Sequence, residues 1–275
     1  MVSNYQRDKI SSTREGYDSL AEEWDRRYEN PTIQYRRSIE FNVISKNIKK
    51  GDKVLDVGCG SGRHIFFLLE KECSVTGVDI SPKMLEILKR KARERKYSLT
   101  LILADCNNLP FEAESFDVVV SIYGPLTHLQ NPVNCVNEMI RVLKRGGKIA
   151  VGVENKWALL PMMRRILKLE WNKIITLLRE GGKFTVFKKE NGQEVLIWLQ
   201  YYSLQQLVRL FRNAGFVKIK TSGGLLLVPQ EYGYSPKKSL SRFKKILIWS
   251  EKRFQNHAPF KNLASYLFIK AEKPD

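Results

Sequence analysis

An α/β fold with a doubly wound, mostly parallel sheet is predicted by three observations. Residues 54–62 read Val-Leu-Asp-Val-Gly-Cys-Gly-Ser-Gly, a short apolar run closed by three glycines spaced two apart. Further short apolar runs follow at Val75 to Asp79, Leu101 to Ala104, Phe116 to Ile122 and Lys148 to Val153. Each is separated from the next by a stretch long enough for a crossover helix, so five strands alternate with helices.

The first strand ends in a loop that cradles a ligand. Glycine is needed where the backbone takes positive φ or approaches a ligand closely, and the helix that follows, His64 to Glu70, aims free N–H groups at that ligand. A dinucleotide loop would read Gly-x-Gly-x-x-Gly. Here Gly58, Gly60 and Gly62 are followed by Arg63, so the third glycine comes one position early and NAD(P) is disfavoured. Asp56 lies on the strand two residues before Gly58, where a phosphate meets repulsion and a cationic amino-acid group finds a partner. That sign of charge favours S-adenosylmethionine.

The second strand ends in Asp79, whose carboxylate can bind both ribose hydroxyls; charge-assisted hydrogen bonds of that kind contribute about 1.5 to 3 kcal/mol each. The third strand ends near Asp105 and Cys106, and Asp105 is the candidate acceptor for an adenine amino group. Phe116 to Ile122 is an apolar fourth strand that carries Ser121. Val142 to Val153 reads as a helix end, a glycine turn at Gly146-Gly147 and a fifth strand.

These residues resemble the class I S-adenosylmethionine-dependent methyltransferases, most closely the type 11 group that includes quinone-biosynthesis methyltransferases. The resemblance covers roughly residues 15 to 153 and rests on separate motifs in order: the glycine loop, Asp79, Asp105 ahead of Leu109-Pro-Phe111, Phe116-Asp-Val-Val-Val-Ser121, and Arg141-Val-Leu-Lys-Arg-Gly-Gly147. It implies a Rossmann-like sheet of seven strands, with Ser265 to Ala271 antiparallel at the sheet edge, and methyl transfer as the reaction. Tyr17-Asp-Ser-Leu-Ala-Glu-Glu-Trp-Asp25 resembles a helix that closes over the cofactor in this family, which adds Tyr17. The candidate cofactor contacts are therefore Tyr17, Asp56, Gly58, Cys59, Gly60, Asp79, Ile80, Asp105, Cys106 and Ser121. No metal is needed, because the sulfonium already activates the methyl group.

At 275 residues the chain suits one α/β domain with elaborations. Residues 1–14 read as a polar, mobile arm, 15–153 as the cofactor-binding core, and 154–275 as the completion of the sheet (about 203–221 and 265–271) with two substrate-side insertions, about 154–200 and 223–263. Cys59, Cys73, Cys106 and Cys135 show no CxxC pairing, so neither a disulfide framework nor a zinc site is expected. No secretory signal and no apolar run of spanning length is visible, so the expected location is the cytoplasm, with contact at a membrane surface left open.

The charge is unevenly placed. Residues 151–275 hold 23 Lys and Arg against 9 Asp and Glu, net +14 of the chain's +18. In a doubly wound sheet the later segments cover the crevice where substrate enters, so the acceptor, or the surface presenting it, is expected to be anionic. Trp157 to Leu178 gives one or two basic amphipathic helices, and two β-prone runs around Asn191-Gly192 give a hairpin. Tyr201 to Phe216 is a helix with Ser203 as N-cap and Gly215 past its end, leading to a strand at Val217 to Thr221. Lys237 to Phe254 is a further basic helix carrying Trp249.

Three readings of the basic helices stay open: a face on an anionic membrane above a lipid-like acceptor, an RNA-binding surface, or a roof over a small anionic metabolite. A non-catalytic module that binds S-adenosylmethionine without transferring methyl is the remaining class. For an acceptor that must lose a proton, the candidate catalytic base is His128, on the loop after the fourth strand, with a positioning role as its alternative. Tyr123 is a second candidate contact to the acceptor. His64 reads as a helix-surface or cofactor-adjacent residue.

Overall fold

The computed structural model describes residues 2–28, 31–228, 241–254 and 257–275. Parallel strands β1 (Lys53–Val57), β2 (Ser74–Asp79), β3 (Thr100–Leu103), β4 (Phe116–Ile122) and β5 (Leu143–Asn155) lie in the order β3-β2-β1-β4-β5, and the expected alternation with helices fails between β3 and β4, which a helix-free loop joins. The glycine turn expected before the fifth strand is a bulge within β5. Its register with β4 jumps from Phe116↔Leu143 to Val118↔Lys148, and Gly146 takes φ 67° inside the bulge.

The later strands are a hairpin, β6 (Gly182–Lys188) and β7 (Glu194–Tyr202), and two that complete the sheet, β8 (Val217–Gly224) and β9 (Tyr266–Glu272). β9 runs antiparallel, as expected, but it is not the edge. It pairs with β5 on one side and with β8 on the other. The reason is apolarity on both faces: Tyr266, Leu267, Phe268 and Ile269 are all buried, which suits an interior strand, whereas β8 exposes Val217 and Lys218 and takes the edge.

The strands alternate their side chains between two cores. Leu55, Val57, Val119, Ile149 and Val151 pack on helices α5 (Val133–Val142) and α8 (Leu204–Asn213). Val54, Val118, Val120 and Ala150 face α2 (Pro31–Ser45), α3 (Arg63–Glu70) and α4 (Pro82–Glu94). Helices thus cover both faces of the sheet, the doubly wound arrangement, and the crevice lies where β1 and β4 diverge to opposite crossovers.

The hairpin is β6 (Gly182–Lys188) and β7 (Glu194–Tyr202), turning at Gly192, φ 84°. β7 joins β5 only through Glu154↔Tyr201 and Asn155↔Tyr202, beyond the end of β4, so the hairpin stands over the strand ends as a wall. The preceding basic segment is two helices, α6 (Leu159–Leu167) and α7 (Trp171–Glu180). α8 starts with a complete capping box: Gln206 N–H donates to Ser203 Oγ at 3.2 Å and Ser203 N–H donates to Gln206 Oε1 at 2.9 Å.

The polar arm expected before Thr13 is helical: α1 (Val2–Trp24) begins there and runs without a break into the segment carrying Tyr17. Gly16 lets α1 lie close on the hairpin, since a Cβ there would stand 2.8 Å from Ile197 Cγ1. The last basic helix is α9 (Arg242–Phe254); the part expected at Lys237 to Leu240 lies outside the described residues. Among the described residues no helix is long and apolar enough to cross a membrane.

Candidate active site

The C-terminal ends of the strands, α1 and the hairpin enclose a cavity of about 1490 Å³. Its floor is the glycine loop. Gly58 (φ 80°) lies against the loop after β4: a Cβ there would meet Pro125 Cδ at 2.5 Å and Gly124 Cα at 2.8 Å. At Gly60 (φ 52°) a Cβ would meet nothing within 4 Å, so the loop presents bare backbone to open space. The loop's own amides are taken up inside the protein: Gly58 and Cys59 N–H donate to the Val78 carbonyl at 2.7 and 3.0 Å, and Gly62 N–H donates to the Cys59 carbonyl at 3.0 Å.

Asp79, at the end of β2, joins this floor. Its Oδ2 accepts from Gly60 N–H at 2.8 Å and its Oδ1 from Ser81 N–H at 2.9 Å, and burial raises its pKa. Ile80, Cys59, Asp105 and Cys106 line the same cavity. Asp105 Oδ1 accepts from the backbone N–H and side-chain amide of Asn107, both at 2.9 Å, which fixes the turn after β3. Cys106 is buried beside Cys135, and their contact and burial push its thiol pKa up.

Two residues of the expected set sit beneath the loop instead of in the cavity lining. Ser121 donates to the Val57 carbonyl at 2.9 Å and so ties β4 to the end of β1. Asp56 is 1% exposed, and its carboxyl has no hydrogen-bond partner among the described residues. Burial, with repulsion from Asp79, pushes Asp56 up to about 7 against the pull of Arg63.

α1 and the turn that follows it, Asp25–Tyr28, cross the cavity and are held at three strand-end loops. Asp25 accepts from Ser61 Oγ at 2.6 Å beside the glycine loop and pairs with Lys91 at 2.7 Å. Asp18 accepts from the hydroxyl of Ser81 after β2. Tyr17 meets His128, after β4, at 3.1 Å from Oη to Nε2. His128 Nδ1 lies 2.9 Å from the carbonyl oxygen of Trp198, which can only accept, so Nδ1 carries the proton and Nε2 accepts from Tyr17. Burial pushes His128 down to about 4, which keeps the ring neutral. Sequence reasoning found Tyr17 and His128 separately; their contact spans 111 residues and leaves no local signal.

A second polar cluster borders the cavity. Glu40 is fully buried, paired with Arg36 Nε at 3.1 Å, Arg63 Nε at 3.6 Å and His64 Nε2 at 3.1 Å. Burial alone would raise its pKa, but Arg63, the His64 hydrogen bond and Arg36 hold it down at about 2. His64, expected on a helix surface or beside the cofactor, is 4% exposed and lines the cavity, and burial pushes it down to about 4; it donates to the carboxylate that sequence pattern could not place beside it. Next to this cluster Tyr123 takes φ 53°, lines the cavity, and its buried hydroxyl has no partner among the described residues.

The roof supplies the cations that the sequence located only by charge. Arg164 and Arg165 of α6, Lys173 of α7 and Lys183 of β6 all line the cavity. Burial, then repulsion from Arg165 and Lys173, pushes Lys183 down to about 8.

A family model described as a methyltransferase domain matches residues 54–147. The demethylmenaquinone methyltransferase of Staphylococcus epidermidis is 32% identical over 209 residues, spanning 73% of this chain and 83% of that protein. The chain belongs to the class I S-adenosylmethionine-dependent methyltransferases, in their type 11 group. An uncharacterised protein of Methanocaldococcus jannaschii is similar to this methyltransferase at 31% identity over 210 residues, 76% of this chain and 78% of that one. The fold is shared with a solved structure from Thermotoga maritima described as a possible histamine N-methyltransferase, with a TM-score of 0.57, 20% identity, and coverage of 94% and 99%.

The cofactor of this methyltransferase is S-adenosylmethionine. The residues present suit it. The bare backbone at Gly60 leaves room for a ligand on the loop, and the groups beside it at the ends of β2 and β3 are the carboxylates of Asp79 and Asp105, which accept from hydroxyl and amino groups but repel phosphate.

Proposed function

We propose that the enzyme transfers methyl to a small acceptor that has a hydrophobic body and an anionic group, the anion resting chiefly on Lys183 and Arg165. Bound S-adenosylmethionine supplies an electrophilic methyl on a sulfonium. The protein's own residues do the rest. Asp79 takes the ribose hydroxyls, Asp105 with Ile80 and Cys106 surrounds the adenine, and Gly58, Cys59 and Gly60 support the amino-acid end. Asp56, near half-ionised at neutral pH in the cofactor-free protein, acts from below by the charge that the cationic end of the cofactor draws out, and Ser121 by holding the strand that carries the loop. Tyr17 closes α1 over the site, held by the neutral His128, and the closed roof keeps water from the transfer. His128 accepts a proton from an acceptor only if Tyr17 yields Nε2, so its first role is to position Tyr17.

The observation that carries the acceptor class is the cationic wall. Lys183 forms no ion pair among the described residues; Arg165 and Lys173 each repel it more strongly than either Glu154 or Glu170 attracts it, and Lys173 is itself paired with Glu170 at 2.8 Å, so an anion would rest chiefly on Lys183 and Arg165. The apolar lining from Ile33, Ile122, Leu160 and Phe187 suits a hydrophobic body, and the relatives that methylate a demethylmenaquinone, by name, support one. Incubating the enzyme with a cell extract and methyl-labelled S-adenosylmethionine tests this. Label in nuclease-resistant small-molecule or organic-extractable material supports the reading, and label in nuclease-sensitive material makes the roof an RNA-binding surface. With the acceptor in hand, Lys183→Met should raise its KM about tenfold and leave cofactor affinity unchanged.

A further inference from the structure

We propose that the turn joining α6 to α7 docks the enzyme on an anionic lipid bilayer. Leu167 is 80% exposed there, Leu169 72% and Trp171 53%. Three large apolar side chains projecting from one five-residue stretch are not the scattered exposure that every soluble surface carries. Leu169 adds a conformational argument. Its φ is 53°, in the left-handed region that glycine and asparagine occupy at least cost, so the turn holds a large apolar group outward where a small polar residue would be easier to accommodate.

The charges beside the turn select the occupant. Lys168 lies between the two leucines and Arg164 one turn before them, and neither has a salt-bridge partner among the described residues. Leucine and tryptophan flanked by Lys168 and Arg164, with the turn's one carboxylate, Glu170, paired to Lys173 at 2.8 Å, match the boundary between acyl chains and anionic headgroups, where the apolar groups enter and the cations stay at the surface. RNA is the poorer match, because single-stranded bases stack on aromatic platforms and two of the three projecting groups are aliphatic. Arg164, Glu170 and Lys173 line the cavity from the same elements, so a docked turn places the bilayer beside the site.

Flotation of the full-length, cofactor-saturated protein tests the proposal, using phosphatidylcholine vesicles with and without about 30% phosphatidylglycerol. The protein should float with the anionic vesicles and bind the neutral ones markedly less. The double variant Leu167→Glu/Leu169→Glu should bind anionic vesicles at least about tenfold more weakly, and Lys168→Glu should weaken binding most at low salt. Cofactor affinity measured by calorimetry should stay unchanged in both, which shows that they fold. The proposal is overturned if the parent does not float, or if the double variant floats as the parent does. It is equally overturned if the vesicles are inert while RNA binds, or if light scattering shows that the leucines join two copies of the chain.

Discussion

Tyr17 donates its hydroxyl hydrogen to His128 Nε2 across 3.1 Å, and the direction of that bond is fixed by the Trp198 carbonyl on the other side of the imidazole. One neutral histidine thus links α1, the loop after β4 and the hairpin strand β7. In the function proposed above these three elements are the lid, the crevice and the acceptor wall, and closure over the cofactor is then expected to be coupled to formation of the acceptor site.

The first prediction concerns that link. Tyr17→Phe keeps the ring packing on Trp24, whose centroid lies 5.1 Å away, and removes only the hydroxyl. The loss of one neutral hydrogen bond should weaken S-adenosylmethionine binding about threefold to tenfold, with α1 cleaved faster in limited proteolysis and the melting temperature little changed. Equal affinity in titration calorimetry would show that Tyr17 does not hold the lid.

Asp79→Ala should abolish measurable cofactor binding without unfolding the chain. The carboxylate both pins the glycine loop through Gly60 N–H and is the acceptor we assign to the ribose hydroxyls. Two charge-assisted bonds at about 1.5 to 3 kcal/mol each correspond to a loss of two orders of magnitude or more. Unchanged affinity would refute the assignment.

The glycine loop and the strand ends that line the cavity were legible because each of their signals is local. A glycine loop, an acidic strand end and an apolar strand are short motifs whose residues act where they stand, and Asp79, Asp105 and Gly60 line the cavity accordingly. Asp56 and Ser121 were placed on the right strands, but alternation puts them on opposite faces of the sheet, and both are buried without lining the cavity. The remainder depends on long-range pairing. Glu40 meets His64 over 24 residues and Tyr17 meets His128 over 111, and no periodicity encodes such contacts. The interior position of β9 was readable in principle, since four consecutive buried apolar residues suit a central strand better than an edge.

Ser203→Ala should cost about 1 kcal/mol of stability, because it leaves the Gln206 N–H without its cap and releases the reciprocal bond from Gln206. α8 packs Leu207 and Phe211 into the core, so the effect should appear as a lower urea midpoint with an unchanged slope. Cofactor affinity should not move, since neither residue lines the cavity.

Asp56→Asn makes a prediction with a defined sign in pH. Burial and the neighbouring Asp79 raise the folded-state pKa of Asp56 from 3.8 to about 7. A carboxyl whose pKa is raised on folding binds more protons in the native state between those two values, so the stability it contributes is complete below pH 3.8 and is lost as pH rises through about 7. Asparagine does not ionise and escapes that loss. The variant should therefore gain on the parent as pH increases, by about 1 kcal/mol or more between pH 5 and 8, when urea midpoints of the cofactor-free proteins are compared at each pH. If the difference is the same at both ends of that range, Asp56 titrates normally in the folded protein, and the carboxyl beneath the glycine loop is then ionised and available to attract the cationic end of S-adenosylmethionine at neutral pH.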